Sequence, residues 1–104
     1  MPAKARARMD RIIRHMEDTK DWTQTAYFRP LTGYNGICEI RFIVSNIQYR
    51  PLGCYGPGKG TFTLLIGAKE VGSEIRPRNA PDVATQRREL ILADKDKRYI
   101  DDYY

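Results

Sequence analysis

A chain of 104 residues allows one domain, 1–104, with a real but modest core. Its 30% charged and 41% apolar residues exclude a disordered chain, and no apolar run approaches the roughly 20 residues a bilayer-crossing helix needs. The net charge of +5 favours polyanionic partners, nucleic acid foremost.

Arginines interrupt the apolar positions near the start, so no signal peptide is read and a cytoplasmic, non-membrane protein is expected. From about Ala3 to Asp18 the pattern is helical, with Met9, Ile12, Ile13 and Met16 at the spacing of one buried stripe. Lys4, Arg6, Arg8, Arg11 and Arg14 take much of the remaining surface, as a solvated face or as an RNA contact. Asp18 to Arg29 breaks the helical pattern, and Trp22, Tyr27 and Phe28 are expected to anchor the chain as it enters a sheet.

The stretch Leu31–Lys69 reads as about three antiparallel strands. With Ser45 and Asn46 as a two-residue turn, Val44 faces Ile47, Phe42 faces Tyr49 and Ile40 faces Pro51. One side of the hairpin then carries Cys38, Ile40, Phe42, Val44, Ile47, Tyr49 and Pro51, and is apolar. The other carries Ile37, Glu39, Arg41, Ile43, Gln48, Arg50, Leu52 and Cys54, with Arg41 directly across from Arg50. A one-residue slip would turn Arg50 to the apolar side, so the hydrophobic pattern selects this register. Like charges directly opposite cost roughly 0.2–1 kcal/mol. Solvation of both guanidiniums, neutralisation by Glu39, or a phosphate held between the two forks would each offset that cost.

In the third strand Phe62, Leu64 and Ile66 alternate with Thr61, Thr63, Leu65, Gly67 and Lys69, which puts Lys69 on the arginine face. Gly56-Pro57-Gly58-Lys59-Gly60 lacks the spacing of a phosphate-binding loop and reads as a turn with Lys59 at its tip. Cys38 and Cys54 fall on opposite faces of the hairpin and are expected to be free thiols. His15 is the only histidine, so neither a metal site nor another cofactor is read. Lys69 to Arg78 is polar and turn-like. A second helix is expected from near Asn79 to about Ala93, with Pro81 in its first turn, Asp82 complementing its dipole, and Val83, Leu90 and Ile91 inward. The charged stretch 94–104 reads as a flexible or interacting tail.

In this order the elements resemble the RelE/ParE superfamily of toxins from toxin–antitoxin modules, most closely its phage-derived HigB-like branch. Leu31-Thr32-Gly33-Tyr34-Asn35-Gly36-Ile37-Cys38-Glu39-Ile40-Arg41 is similar to that branch's segment of a leucine, two spaced glycines, a glutamate and an arginine. Tyr49-Arg50 resembles its Tyr-Arg strand, Leu64 to Lys69 its apolar strand ending in Gly-x-Lys, and Pro81 to Arg88 its closing helix. The resemblance implies an α+β fold in which a small sheet is flanked by an N-terminal and a C-terminal helix, without the family's usual first strand. An edge left open in that way invites self-association as a homodimer.

The resemblance also implies an activity: a type II toxin acting as an endoribonuclease on ribosome-bound mRNA, without metal, and neutralised by a cognate antitoxin protein. Arg41 and Arg50 would hold the scissile phosphate while Lys69 stabilised charge or donated a proton. Lys59, Arg76, Arg78, Arg87 and Arg88 would contact RNA. The alternative is a phage or prophage protein on the same fold that binds nucleic acid or a protein partner through the basic face without cleaving, a reading favoured by Glu70, whose carboxylate would repel a phosphate.

Overall fold

The computed structural model describes residues 1–17, 22, 25–56 and 61–93. Helix α1 spans Ala3–Glu17 and helix α2 spans Ala80–Ala93. Between them lie β1 (Phe28–Pro30), β2 (Cys38–Ile40), β3 (Phe42–Val44), β4 (Ile47–Tyr49), β5 (Leu52–Tyr55), β6 (Phe62–Ile66), β7 (Lys69–Val71) and β8 (Glu74–Arg76). They form two four-stranded antiparallel sheets, ordered β1-β2-β5-β6 and β3-β4-β7-β8, so the fold is α+β.

Three extended runs thread both sheets. The chain leaves the first sheet and enters the second at Arg41, between β2 and β3, and at Gly67–Ala68, between β6 and β7; it crosses back at Arg50–Pro51, between β4 and β5. Backbone bonds from Ile40 N–H to Pro51 O (3.0 Å) and from Arg50 N–H to Ala68 O (2.8 Å) hold the crossing points together. The expectation of about three strands corresponds to these runs taken whole; β1 and the β7–β8 hairpin lie beyond it.

The hairpin register is the one the alternation selects. Val44 pairs with Ile47, Phe42 with Tyr49 and Glu39 with Leu52, which sets Arg41 across from Arg50. Ser45 and Asn46 have φ of 52° and 63°, the two positive values of a type I′ turn, whose twist matches that of the flanking strands. Gly72 and Ser73, at 55° and 71°, repeat that signature between β7 and β8. Lys69–Arg78, expected to be a polar turn, is therefore mostly a hairpin. Its polar residues simply give no apolar period from which to read it.

Each face of the strands is covered by one helix. Ala5, Met9, Ile12 and Met16 form a single stripe on α1 and pack with Phe28, Cys38, Ile40, Phe42 and Tyr49. On the opposite face Ala80, Ala84 and Ile91 of α2 pack with Ile37, Leu52, Cys54, Leu65, Ile66 and Ala68, with Val83 partly buried beside them. Leu90, expected inward, is 46% exposed; the small residues Ala80 and Ala84 take the inner positions and bring the helix close to the sheet. Trp22 and Phe28 sit edge to face at 5.5 Å, and Trp22 and Phe62 lie 5.1 Å apart, so the expected aromatic anchors close one end of the first core.

One further correction concerns the segment between β1 and β2. Leu31–Gly36 is not a strand but a loop closed by Leu31 N–H to Ile37 O (2.8 Å), with Gly33 and Gly36 at positive φ. The outer edge of β2 is covered by β1, with Phe28 opposite Ile40 and Pro30 opposite Cys38. The tail 94–104 and Lys59 lie outside the described residues.

Candidate nucleic-acid interface

Where the runs cross between sheets, Arg41 and Arg50 stand side by side on the face that α2 covers farther along. Arg41 donates its backbone N–H to Tyr27 O at 2.7 Å, which fixes one arginine at the end of β1, and the bond from Arg50 to Ala68 fixes the other. Their side chains meet two carboxylates. Arg50 donates from Nε to Glu39 Oε2 at 2.8 Å and from Nη1 to Glu70 Oε1 at 3.4 Å, and its Nη2 forms an ion pair with Glu39 Oε2 at 2.8 Å. Arg41 is more loosely held, 3.8 Å from each of Glu39 Oε1 and Glu70 Oε1.

Burial divides this quartet. The Glu39 side chain is 6% exposed and that of Arg50 16%, whereas Arg41 and Glu70 are 30% and 28% exposed. A carboxylate as deep as Glu39 is tolerated because Arg50 is paired with it; alone it would carry an uncompensated desolvation cost. The like-charge cost of setting two arginines opposite one another is thus offset inside the protein, by Glu39 and Glu70.

Lys69 is absent from this group because of a β-bulge. Leu52 pairs with Ile66 but the next residue, Gly53, pairs with Leu64, so Leu65 is an extra residue in β6. Ile66 thereby shares a face with Leu52, and both Leu65 and Ile66 enter the core under α2. The parity of everything beyond is reversed relative to strict alternation. Lys69 lies across from Tyr49, on the α1 side, and Glu70 takes the place beside the arginines. The signal was present in the sequence as three consecutive apolar residues, Leu64-Leu65-Ile66, which uninterrupted alternation of buried and exposed positions does not produce.

The other cations disperse. Arg76 pairs across the hairpin with Lys69, and Arg76 and Arg78 share Glu74, at 2.6 and 3.5 Å. Arg87 donates to Leu65 O at 2.7 Å. Arg88 lies against the Leu31–Ile37 loop so closely that a Cβ on Gly36 would meet its Cζ at 2.8 Å, and its buried Nε has no hydrogen-bond partner among the described residues. Cys38 and Cys54 are free and buried. Burial pushes both thiols above their ordinary range; for Cys54 the nearby Arg88 charge works the other way. Among the described residues no group of three or more His, Cys, Asp or Glu could hold a metal ion, and no helix is long and apolar enough to cross a membrane. No protein-family model, curated protein or solved structure matches the chain.

Proposed function

We propose that this protein is a nucleic-acid-binding module of RelE-like type that contacts phosphate through Arg41 and Arg50 without cleaving the strand. The observation that carries this reading is the company the arginines keep: two carboxylates, with Lys69 turned to the opposite face by the bulge at Leu65. Arginine forks recognise phosphate, but cleavage by an adjacent 2′-hydroxyl needs groups that take and give protons in reach of the same phosphate. A phosphate entering this face displaces Glu70, the more exposed carboxylate, and leaves Glu39 paired with Arg50.

The test is titration of a labelled single-stranded RNA with the wild-type chain and with Arg41→Gln, followed by electrophoresis of the RNA. Weaker binding by the variant, with a salt dependence shallower by about 0.7 for each phosphate no longer neutralised, and intact RNA are expected. Absence of RNA binding, or equal binding by Arg41→Gln, overturns the reading.

A second reading, a toxin that cuts mRNA on the ribosome and is held by an antitoxin, is favoured by the juxtaposition of Arg41 and Arg50 across the strands. Glu70, at 3.4 Å or more from either guanidinium, is then the group that must move or act as the base. Induction in a bacterial host distinguishes the two: growth arrest with cut mRNA, lost in Arg41→Gln, supports the toxin, and undisturbed growth with folded protein supports the binding module.

A further inference from the structure

The cations of α1 form a second basic surface, and its arrangement differs from that of the sheet arginines. Arg8, Arg11 and His15 follow one another at spacings of three and four, on one side of the helix. With Ile12 and Tyr27 they line a cavity of about 260 Å³. Every ionisable side chain of that lining except the Tyr27 phenol is cationic or a histidine, and no carboxylate is among them.

Helical spacing shows that this is not the general condition of α1. Asp10 stands four residues from both Arg6 and Arg14, where an acidic residue can reach either. Arg8 has Lys4, Ala5, Arg11 and Ile12 at those spacings, and Arg11 has Ala7, Arg8, Arg14 and His15. Neither has an acidic residue three or four positions away on its own helix, and among the described residues neither makes a salt bridge. The first turn adds Lys4 and Arg6 and contains no acidic residue, a distribution that opposes the helix dipole. Positive charge is thus concentrated here against both local pairing and the macrodipole, whereas in the sheet it is neutralised.

We infer that the Arg8–Arg11–His15–Tyr27 cavity is a binding site for a backbone phosphate of a nucleic-acid strand, separate from the arginine pair of the sheet. This rests on the proposed nucleic-acid function and adds a second point of attachment to it. The volume is below the ~300–1,000 Å³ usual for enclosed small-molecule sites, which suits one phosphodiester unit of a strand that continues along the surface. From Lys4 to His15 the helix rises about 16 Å at ~1.5 Å per residue, enough for a strand to follow the basic side past the cavity.

The experiment uses the full chain and two fluorescent 12-nucleotide probes of one sequence, single-stranded RNA and single-stranded DNA, titrated at several salt concentrations. Three variants accompany it: Arg8→Gln with Arg11→Gln, Arg8→Lys with Arg11→Lys, and Arg41→Gln. The glutamine pair is expected to weaken binding about tenfold or more and to reduce the salt slope by about 0.7, for the one phosphate no longer neutralised, while the lysine pair keeps most of the affinity. Unchanged affinity in the glutamine pair overturns the inference, and a loss confined to Arg41→Gln then leaves the sheet reading standing. Loss in the glutamine pair with none in Arg41→Gln supports the α1 site and removes the sheet from the function. Failure of the wild type to bind either probe overturns both. Should the glutamine pair not fold, amide shifts of the wild-type chain on saturation with RNA decide the matter: changes centred on residues 8–15 and 27 support the site, and their absence overturns it.

Discussion

Arg50 holds two nitrogens against one oxygen of the buried Glu39 carboxylate, Nε by a hydrogen bond and Nη2 by an ion pair, each at 2.8 Å. The pair ties β2 to the crossing between β4 and β5, at the point where the chain changes sheets. It is a structural bond as much as a candidate phosphate contact, and that decides how the residue is to be tested.

Arg50→Ala leaves Glu39 in its low-exposure position with no strong partner. Breaking a buried pair from one side typically costs about 3–5 kcal/mol, a large share of a small domain's stability. The double change Glu39→Leu with Arg50→Leu removes both charges and is expected to recover most of that loss, because an apolar replacement of a buried pair is often neutral or better. Urea unfolding of the two variants measures the difference. Equal destabilisation by the single and double changes would show that the pair does not hold this crossing together. For the same reason the more exposed Arg41 is the better arginine with which to probe function.

Glu70→Gln is expected to behave differently. At 28% exposure and 3.4–3.8 Å from its arginines, Glu70 contributes at most about 1 kcal/mol, so thermal unfolding of the variant should stay close to wild type. Removing its charge frees the two guanidiniums for phosphate, so the affinity for single-stranded RNA should rise. Weaker RNA binding by a stably folded Glu70→Gln would mean that the carboxylate helps the site rather than competing for it.

The contrast between Glu39 and Glu70 also shows what is legible in the sequence. Alternation through Ile40, Phe42, Val44, Ile47 and Tyr49 is enough to pair the hairpin and to set Arg41 opposite Arg50, because a shift by one residue would expose every core side chain. Glu39, two residues from Arg41, is recognisable as a neutralising neighbour. The run Leu64-Leu65-Ile66 signals a break in alternation but, being apolar throughout, does not say which residue is the extra one, and that one residue exchanges Lys69 for Glu70. The second hairpin escapes a hydrophobic pattern because Lys69–Val71 and Glu74–Arg76 are polar or half-exposed. The inner face of α2 departs from expectation at Leu90, since the packing falls instead to Ala80 and Ala84, residues too small to stand out in such a pattern.

Gly53→Ala tests the packing around the aromatic end of the first core. A Cβ at position 53 would come within 2.6 Å of both Phe62 Cε2 and the Thr63 carbonyl oxygen, so a ring and a strand backbone would have to move together. Overpacking of this kind costs about 1–3 kcal/mol, and the backbone clash puts the expected loss toward the upper part of that range. Because Trp22, the chain's single tryptophan, lies 5.1 Å from Phe62, its fluorescence should shift along with the fall in unfolding midpoint. A variant with wild-type stability and an unchanged spectrum would show that Phe62 does not lie across Gly53.

The two thiols give a dependence on pH. Burial raises both pKa values above the ordinary 9.0, so near that pH the unfolded chain releases protons that the folded chain still holds. The unfolded state then binds fewer protons than the native state, and stability falls as pH rises from about 9 toward the raised values; below that window the thiols contribute no slope. Each thiol fully titrated in one state only adds a slope of about 1.36 kcal/mol per pH unit. Lysines and tyrosines titrate in the same region, so the informative quantity is the difference in slope between wild type and Cys38→Ala or Cys54→Ala, measured by urea unfolding between about pH 7 and 10. Shallower slopes in both variants, together with thiols that react with an alkylating reagent only after unfolding, are expected. Identical slopes, or rapid alkylation of the native chain, would mean that these cysteines are not held in the two cores.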